Sequence, residues 1–289
     1  MKASIGIMLA QEREFAKRGG GRNPSPHRRE FSMFLDPPRE GRFRLFLMRH
    51  GHLENSDHGA INGQGDVSLS PRGEAQMETR ARFLREVPAT LLLSSTLRRT
   101  RQSLAPFGES RPHLVPQALE GFRERSFGFW EGKTREEIAA LDPTGYARWQ
   151  DLDVSFAPAG GESLLSFRER VLGALRTLLA ETGYRHNALC VAHSGVNRIL
   201  LLDALGHDLS GYFRLTQGYG SLNVIDYTEG GDPVVLLMNL PSDLPLIPSP
   251  MPSSMTVGTE PSRSGRAHDG RSSFPSPPSS SPPSISPAP

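Results

Sequence analysis

The feature that most constrains how this chain folds is the apolar run Arg42–Met48, which ends abruptly in Arg49-His50-Gly51. An apolar run of this length predicts a buried strand. A strand that ends in this way brings a cation, an imidazole and a flexible turn to one point. Arginine offers planar donors to phosphate oxygens, a neutral histidine can attack phosphorus, and glycine lets the backbone approach a ligand closely. The tripeptide suggests phosphate chemistry, but it is too short to establish it without partners elsewhere.

Further strands and helices alternate along the chain. Apolar runs between turn residues predict five more strands, at Ala89–Ser94, His113–Leu119, Asn187–Ala192, Ser221–Tyr227 and Val234–Met238. Capping residues and helical periodicity predict helices from Ser70 to Val87, from Thr96 to Phe107, after Thr134, from Ser163 to Thr182 and from Gly195 to Leu205. This alternation predicts an α/β fold: a three-layer sandwich with a mainly parallel central sheet and helices on both faces.

The two ends of the chain differ in composition from the segment between them. Residues 1–40 lack periodic apolar positions, and residues 241–289 are mostly proline, serine and small polar residues. Such segments bury too little apolar surface to offset the entropy lost on ordering. We therefore expect a disordered N-terminal extension over 1–40, one domain over 41–240 and a Pro/Ser-rich disordered tail over 241–289.

Composition argues against several classes of protein. The single cysteine, Cys190, rules out an intramolecular disulfide and a cysteine-rich zinc site, and its apolar neighbours predict a core position. The formal net charge of +2 is too small to indicate a nucleic-acid partner. The apolar stretch after Lys2 is too short for a secretory signal, and no run approaches the roughly 20 residues of a membrane span. We expect a cytoplasmic protein with no membrane partner.

A second histidine, His193, follows the predicted strand Asn187–Ala192 and precedes a predicted helix. Ligands of mainly parallel sheets bind beyond the carboxyl ends of the strands, where both His50 and His193 are expected. The N-terminus of the helix after His193 favours an anion. A lone histidine here would be interpreted as a polar residue facing water, but a second one near His50 supports an anion site.

Basic residues follow the predicted strand Ala89–Ser94 in the same layout. Helical spacing cannot direct Arg98, Arg99 and Arg101 to one side of a helix, so one arginine is expected to face the cleft. For Arg98 and Arg101, a solvated helix face is the preferred interpretation.

Two carboxylates lie further along, at Glu124 and Glu131. Phosphoryl transfer to histidine expels an alkoxide, and a nearby carboxylic acid assists by protonating it. Spacing alone leaves both glutamates open as the general acid.

Several separated blocks occur together in one order: Leu47–Gly51, Gly65–Gly73, Ser94–Thr100, Arg123–Gly132, Gly160–Ser163 with Phe167 and Arg170–Val171, and Val191–Gly195. In these blocks the chain resembles the histidine phosphatase superfamily, in its phosphoglycerate-mutase-like branch. The resemblance extends over about Phe43 to Asn239 and is far more specific than a lone Arg-His-Gly.

The resemblance implies a phosphoglycerate-mutase-like fold and roles for the matched residues. It implies that three residues hold the phosphoryl group: Arg49, Arg99 and His193. It assigns the general acid/base to Glu124 and a structural turn to Glu131. In the implied reaction His50 attacks phosphorus while Glu124 protonates the leaving oxygen, and Glu124 then activates water, with no metal or other cofactor. We also expect His50 to donate one ring N–H to a backbone carbonyl, which frees the other nitrogen.

The chain departs from the family pattern just after His50. His52 stands where members often have glutamate, and Ser56 stands where many have asparagine. Four residues are candidates for substrate binding: Asn55, Asn62, Gly51 and Ser194. Either asparagine of this set is expected to replace the missing phosphate contact.

The leading hypothesis is a phosphomonoesterase that acts on a small-molecule phosphate ester through phosphohistidine. Glu124 and His193 are 69 positions apart, which is shorter than phosphoglycerate mutases usually have, and the Gly160–Ser163 block resembles phosphatases, including α-ribazole phosphatases. α-Ribazole phosphate is therefore a candidate substrate. The alternatives are a phosphoglycerate mutase that retains its phosphohistidine and an inactive binding or scaffold module. The segment Leu141–Pro158 is expected either to cover the pocket or to pack as a surface helix, and no pattern indicates an oligomeric state.

Overall fold

The computed structural model describes residues 33–243, which contain a six-stranded sheet. The strands are β1 (Arg42–Arg49), β2 (Leu91–Ser95), β3 (Gln117–Leu119), β4 (Arg185–Ala192), β5 (Leu222–Thr228) and β6 (Val234–Leu240). Their order in the sheet is β3-β2-β4-β1-β5-β6. The first four of that order run parallel, whereas β5 pairs antiparallel with both β1 and β6.

Six α-helices connect these strands within the described residues. They are α1 (Pro71–Phe83), α2 (Arg98–Glu109), α3 (Arg135–Leu141), α4 (Pro143–Gln150), α5 (Leu164–Thr182) and α6 (Ser194–Ala204). Local chemistry explains where several of them begin. The Ser70 side chain accepts from the backbone N–H of Gly73 at the start of α1, and Thr134 forms a reciprocal capping box with Glu137 at the start of α3.

The central strand β1 is buried on both faces, and its side chains alternate between two cores. Phe43, Leu45 and Leu47 belong to the core that includes residues of α5 and α6. Phe46 and Met48 belong to the core on the opposite face, which includes residues of α1 and α2. Burial of each such side chain stabilises the fold by about 1.5–3 kcal/mol. The predicted three-layer α/β sandwich is confirmed.

Cys190 lies in the first of these cores, as the sequence predicts. Burial raises the pKa of its thiol to about 12. A thiol in this environment stays protonated and packs as a small apolar side chain.

Two element boundaries differ from the prediction. Helix α1 ends at Phe83 instead of Val87, and the guanidinium of Arg111 binds the carbonyls of Leu84, Arg85 and Val87 in the turn that follows. The prediction of a strand over His113–Leu119 is wrong for its first half, since only Gln117–Leu119 pairs with β2.

The N-terminal contacts of the domain begin before residue 41. Phe34 is buried, and its ring lies 6.3 Å from the ring of Phe46. The backbone carbonyl of Asp36 accepts from the Asn187 side chain at 2.9 Å. The prediction of disorder over 1–40 therefore does not hold for its last residues. Most of that segment, and nearly all of 241–289, lies outside the described residues, so the rest of the prediction stays a prediction.

Within the described residues, no helix combines the length and the apolar character that crossing a bilayer requires.

Candidate active site

The site lies at the carboxyl ends of the neighbouring parallel strands β1 and β4. The register pairs Arg49 with Ala192, so the residue after each strand end is a histidine. The backbone N–H of His50 donates to the Ala192 carbonyl at 3.1 Å. The rings of His50 and His193 lie 5.3 Å apart, and both are buried. The topology therefore brings together the two histidines that the sequence singled out.

One ring nitrogen of His50 makes a hydrogen bond, and the other makes none within the described residues. Its Nδ1 lies 2.8 Å from the carbonyl oxygen of Gly51, and because a carbonyl only accepts, Nδ1 carries the proton. No partner of Nε2 occurs among the described residues. Burial, followed by the charges of Arg49 and Arg99, lowers the pKa of His50 well below 6.5. The expectation of a neutral His50 that donates to a backbone carbonyl is confirmed.

His193 is held in the opposite tautomer. Its Nδ1 accepts from Nε of Arg99 at 3.3 Å, so the ring proton lies on Nε2, which donates to Ser95 Oγ at 2.7 Å. Burial, with Arg99 as the next cause, lowers the pKa of His193 well below 6.5. The hydroxyl of Ser95 also contacts Thr100 at 2.9 Å. The second histidine is thus a fixed, neutral ring that contacts an arginine of the site.

Arg99 is the buried arginine of α2, with 1% of its surface exposed, whereas Arg98 and Arg101 are exposed. The expectation that one arginine enters the cleft while the other two face solvent is confirmed. The guanidinium of Arg99 donates to the carbonyls of Gly63 and Gly65, each at 2.6 Å. Burial lowers its pKa, and the charge of Glu124 acts in the opposite direction. Arg99 therefore joins the loop after β1 to His193.

Arg49 is held from the segment that precedes β5. Its Nη1 donates to the carbonyl of Gln217 at 2.6 Å, and its guanidinium carbon lies 3.8 Å from the ring centroid of Tyr219. Its Nε is buried without a hydrogen-bond partner among residues 33–243. Burial lowers the pKa of Arg49, with Tyr219 and Glu124 opposing that effect. Part of this cation is therefore uncommitted beside His50.

The carboxylate of Glu124 reaches the first turn of α6. Its Oε2 accepts from the backbone N–H of Gly195 at 3.0 Å, and its Oε1 accepts from the N–H of Arg125 at 3.0 Å. Glycine at position 195 makes room for this contact, because a Cβ there would overlap the carboxylate of Glu124 unless that side chain moved. The sequence His193-Ser194-Gly195 thus provides both an imidazole and the space for a carboxylate.

Glu131 has a different environment. Its Oε1 accepts from the backbone N–H groups of Gln64 and Phe127, both at 3.0 Å. These contacts join two loops, as expected for a structural turn residue. Of the two carboxylates, Glu124 is therefore the one that contacts the start of α6, next to His193.

The four candidates for substrate binding contact different parts of the structure. Asn55 and Asn62 bond to one another through their side-chain amides, at 2.6 and 3.2 Å. The backbone N–H of Gly51 donates to Ser103, and a Cβ at Gly51 would overlap the backbone of Gly73. Ser194 begins α6 and is half-buried. No contact with a phosphate follows from these positions alone, so their role stays a prediction.

Two residues of the site were missed from the sequence: Gln217 and Tyr219. Both precede the predicted strand at Ser221–Tyr227, and the only local signal is an aromatic residue between Gly218 and Gly220. Among the described residues, no group of three or more His, Cys, Asp or Glu side chains is arranged to hold a metal ion.

Comparison with known proteins identifies the family of this chain. The chain matches the histidine phosphatase superfamily (branch 1) over residues 45–241. It is 31% identical over 192 residues to the adenosylcobalamin/alpha-ribazole phosphatase of Salmonella typhimurium, covering 65% of this chain and 92% of that protein. It is also 31% identical over 171 residues to the glucosyl-3-phosphoglycerate phosphatase of Mycolicibacterium vanbaalenii, covering 56% of this chain and 74% of the relative.

A solved structure shows the same fold. The native mycobacterial glucosyl-3-phosphoglycerate phosphatase superposes with a TM-score of 0.62 at 26% identity, covering 69% of this chain and 99% of that chain. Similarity to these named phosphatases identifies the protein as a phosphoric monoester hydrolase. The chain belongs to the histidine phosphatase superfamily, branch 1.

Proposed function

We propose that this protein hydrolyses the phosphate monoester of a small molecule through a covalent phosphohistidine on His50, without a metal ion. The observation that carries the proposal is the imidazole of His50, whose Nδ1–H is bound to the Gly51 carbonyl while Nε2 has no partner among the described residues. A neutral ring with one free nitrogen is the form that attacks phosphorus. The adjacent cations Arg49 and Arg99 favour that neutral form.

The proposed reaction consists of two in-line displacements at phosphorus. In the first, Nε2 of His50 forms a bond to phosphorus, the bond to the ester oxygen breaks, and Glu124 gives its proton to the leaving alkoxide. In the second, the Glu124 carboxylate takes a proton from water, the water oxygen attacks phosphorus, and the phosphorus–nitrogen bond breaks. Arg49 and Arg99 balance charge on the transferring oxygens. The sequence also assigned His193 to the phosphoryl group, but both of its ring nitrogens are engaged, by Arg99 and Ser95, so its proposed role here is to orient Arg99.

The relatives suggest substrates for this chain. One relative is named for alpha-ribazole phosphate and another for glucosyl-3-phosphoglycerate. We propose a small organic phosphate of this size class, with α-ribazole phosphate as the first compound to test. The aromatic residues of α4 give little support for a choice, because Trp149 packs on the rings of Trp130, Tyr146 and Phe213.

His50→Ala tests the nucleophile. We expect turnover of p-nitrophenyl phosphate to fall by about 10³-fold or more, since the covalent step is lost. The wild-type protein, quenched during turnover, should carry a phosphoryl group that acid removes, as expected of a phosphoramidate. The matched control is His186→Ala, which removes a half-buried histidine at the amino end of β4 and should leave turnover unchanged.

An unchanged rate in His50→Ala, or an acid-stable phosphoester, would show the mechanism to be wrong. The same assays separate the two alternatives. A phosphoglycerate mutase would interconvert phosphoglycerates in the presence of bisphosphoglycerate and release little phosphate. A scaffold module would neither turn over nor become labelled.

A further inference from the structure

Tyr219 lies against three groups of the site at once. The guanidinium carbon of Arg49 lies over its ring at 3.8 Å from the centroid. Its ring is also 5.7 Å from the ring of His50 and 5.3 Å from the ring of His52. The aromatic face therefore touches the cation next to the nucleophile, and the ring also packs against the nucleophile itself.

The position of Tyr219 is fixed from both sides. Its hydroxyl accepts from Ser56 Oγ at 3.0 Å, and Ser56 is anchored in turn by the backbone N–H of Leu53 at 2.9 Å. On the backbone side, the N–H of Gly220 donates to the carbonyl of His50 at 3.1 Å. The ring is therefore tied to the strand end that carries His50, at a position where this chain differs from the usual family pattern by having Ser56.

The second anchor of Arg49 comes from the same segment. The Gln217 carbonyl that accepts from Nη1 is itself locked, because the Gln217 side chain is bonded to the amides of Asn197 and Asn223. Gln217 is buried, with 4% of its surface exposed. Arg49 thus rests between one carbonyl oxygen and one aromatic face.

The contact with the Tyr219 ring itself uses none of the N–H donors of Arg49, of which Nη1 is bound to the Gln217 carbonyl. An aromatic face attracts a guanidinium through the ring quadrupole and uses none of its N–H groups. A carboxylate would hold the cation through those same in-plane donors and would compete with a phosphoryl group. The Nε of Arg49 is buried without a hydrogen-bond partner among the described residues, but the residue as a whole is only half-buried, so part of the cation stays accessible beside His50.

We propose that Tyr219 is a positioning residue of the reaction: its ring holds the guanidinium of Arg49 beside His50 while the N–H donors not bound to Gln217 stay available to the phosphoryl group. This inference rests on the proposed function, in which Arg49 binds the phosphoryl oxygens. Tyr219 acts through Arg49 and takes no part in proton transfer.

The test compares Tyr219→Leu and Tyr219→Met with Tyr219→Phe. Loss of the ring in the first two should lower kcat/KM for p-nitrophenyl phosphate, and weaken inhibition by inorganic phosphate, by about threefold to thirtyfold. Tyr219→Phe keeps the ring and should recover most of that loss. Tyr184→Leu removes a half-buried tyrosine at the opposite end of the sheet and should leave both constants unchanged.

A double-mutant cycle shows whether Tyr219 acts through Arg49. In an Arg49→Lys background, which retains a cation but not the planar group, Tyr219→Leu should have little further effect. Additive losses would overturn the proposal, as would a Phe variant as impaired as Leu or a Leu variant equal to wild type. Thermal melting of each variant identifies any that fails to fold, in which case Tyr219→Met carries the test. If wild-type protein shows neither turnover nor labelling, the proposed function fails instead.

Discussion

At the residue scale, the two histidines of the site are kept neutral by their surroundings and present different nitrogens. His50 donates from Nδ1 to a backbone carbonyl, whereas His193 donates from Nε2 to Ser95 and accepts from Arg99. Burial lowers the pKa of both rings well below 6.5. A protonated His50 could not attack phosphorus. Because burial disfavours the charged form of each ring, it keeps His50 in the neutral form that can attack.

The leaving-group dependence of Glu124→Gln tests the proposed general acid at this scale. An amide cannot protonate an alkoxide, so turnover of an alkyl phosphate should fall by about 10²- to 10⁴-fold. Nitrophenolate leaves without a proton, so p-nitrophenyl phosphate should give a burst of product and then slow turnover, because no base activates water. Stopped-flow absorbance measures the burst.

Glu120→Gln is the matched control for that experiment. Glu120 lies near Glu124 in the chain, but its side chain is 68% exposed and pairs with Arg123. It should behave as wild type. Equal losses for alkyl and nitrophenyl esters in Glu124→Gln, with no burst, would contradict a proton-transfer role.

The sequence could identify the strand-end residues but not the residues that hold them. His50 and His193 each lie at the end of a predicted strand. Because ligands bind at the carboxyl ends of parallel strands, the sequence could predict that the two histidines belong to one site. Gln217 and Tyr219 belong to a segment without periodicity, and their contact with Arg49 depends on the antiparallel pairing of β5 with β1. Only the register of two strands distant in sequence brings them to the site.

At the scale of elements, Glu124 lies on a loop without regular structure that a neighbouring helix holds in place. Arg170 of α5 donates to the backbone carbonyls of Gly121, Arg123 and Glu124 at 2.9–3.3 Å. Its guanidinium also forms a bidentate pair with Glu162, at 2.8 and 2.7 Å. Glu162 accepts in addition from the backbone N–H of Ser126 at 3.0 Å. The Arg170–Glu162 pair therefore fixes both sides of the loop that carries the carboxylate.

Glu162→Gln should lower both the stability of the loop that carries Glu124 and the rate of the reaction. The change keeps the shape of the side chain and removes the charge that fixes Arg170. Because the two side chains are 26% and 22% exposed, solvent screening reduces the cost, and we expect a loss of about 1–2 kcal/mol in the free energy of unfolding. Displacement of Glu124 should lower kcat by about tenfold. Urea unfolding and steady-state kinetics measure the two effects.

Asp153→Asn provides the control for the ion pair. It removes the partner of Arg148 in a pair whose side chains are 31% and 50% exposed, and it should lower stability less than Glu162→Gln does, with kcat unchanged. A Glu162→Gln protein with wild-type kcat would show that the loop holds Glu124 without the pair.

Helix beginnings were easier to predict than helix ends and edge strands. Ser70 with Pro71, Thr134 and Ser163 carry local capping chemistry, and their helices begin as predicted. Just after the end of α1, Arg111 binds the carbonyls of Leu84, Arg85 and Val87, a contact between residues distant in sequence that local pattern does not reveal. For Leu141–Pro158 the sequence left open a cover over the pocket and a surface helix; α4 occupies the first part of this segment, and Tyr146 and Trp149 pack on the cluster around Trp130.

At the scale of the whole molecule, the burial of His50 and His193 links the protonation state of the site to the free energy of unfolding. The strand ends that carry His50 and His193 lie beside two apolar cores, and both rings are buried, with 4% and 0% of their surfaces exposed. The same burial that keeps the histidines neutral penalises their protonation in the folded state. The unfolded chain has no such penalty, so protons favour unfolding.

The free energy of unfolding should therefore decrease as the pH falls below 6.5. Below this value the unfolded state binds protons at both histidines, while the folded state does not until its lowered pKa values are reached. Each histidine contributes a slope of up to about 1.4 kcal/mol per pH unit. Urea unfolding between about pH 7 and about pH 5.5, above the range where most carboxylates titrate, measures the slope. His50→Asn should remove up to half of this contribution, and an unchanged slope in that variant would contradict a neutral, buried His50.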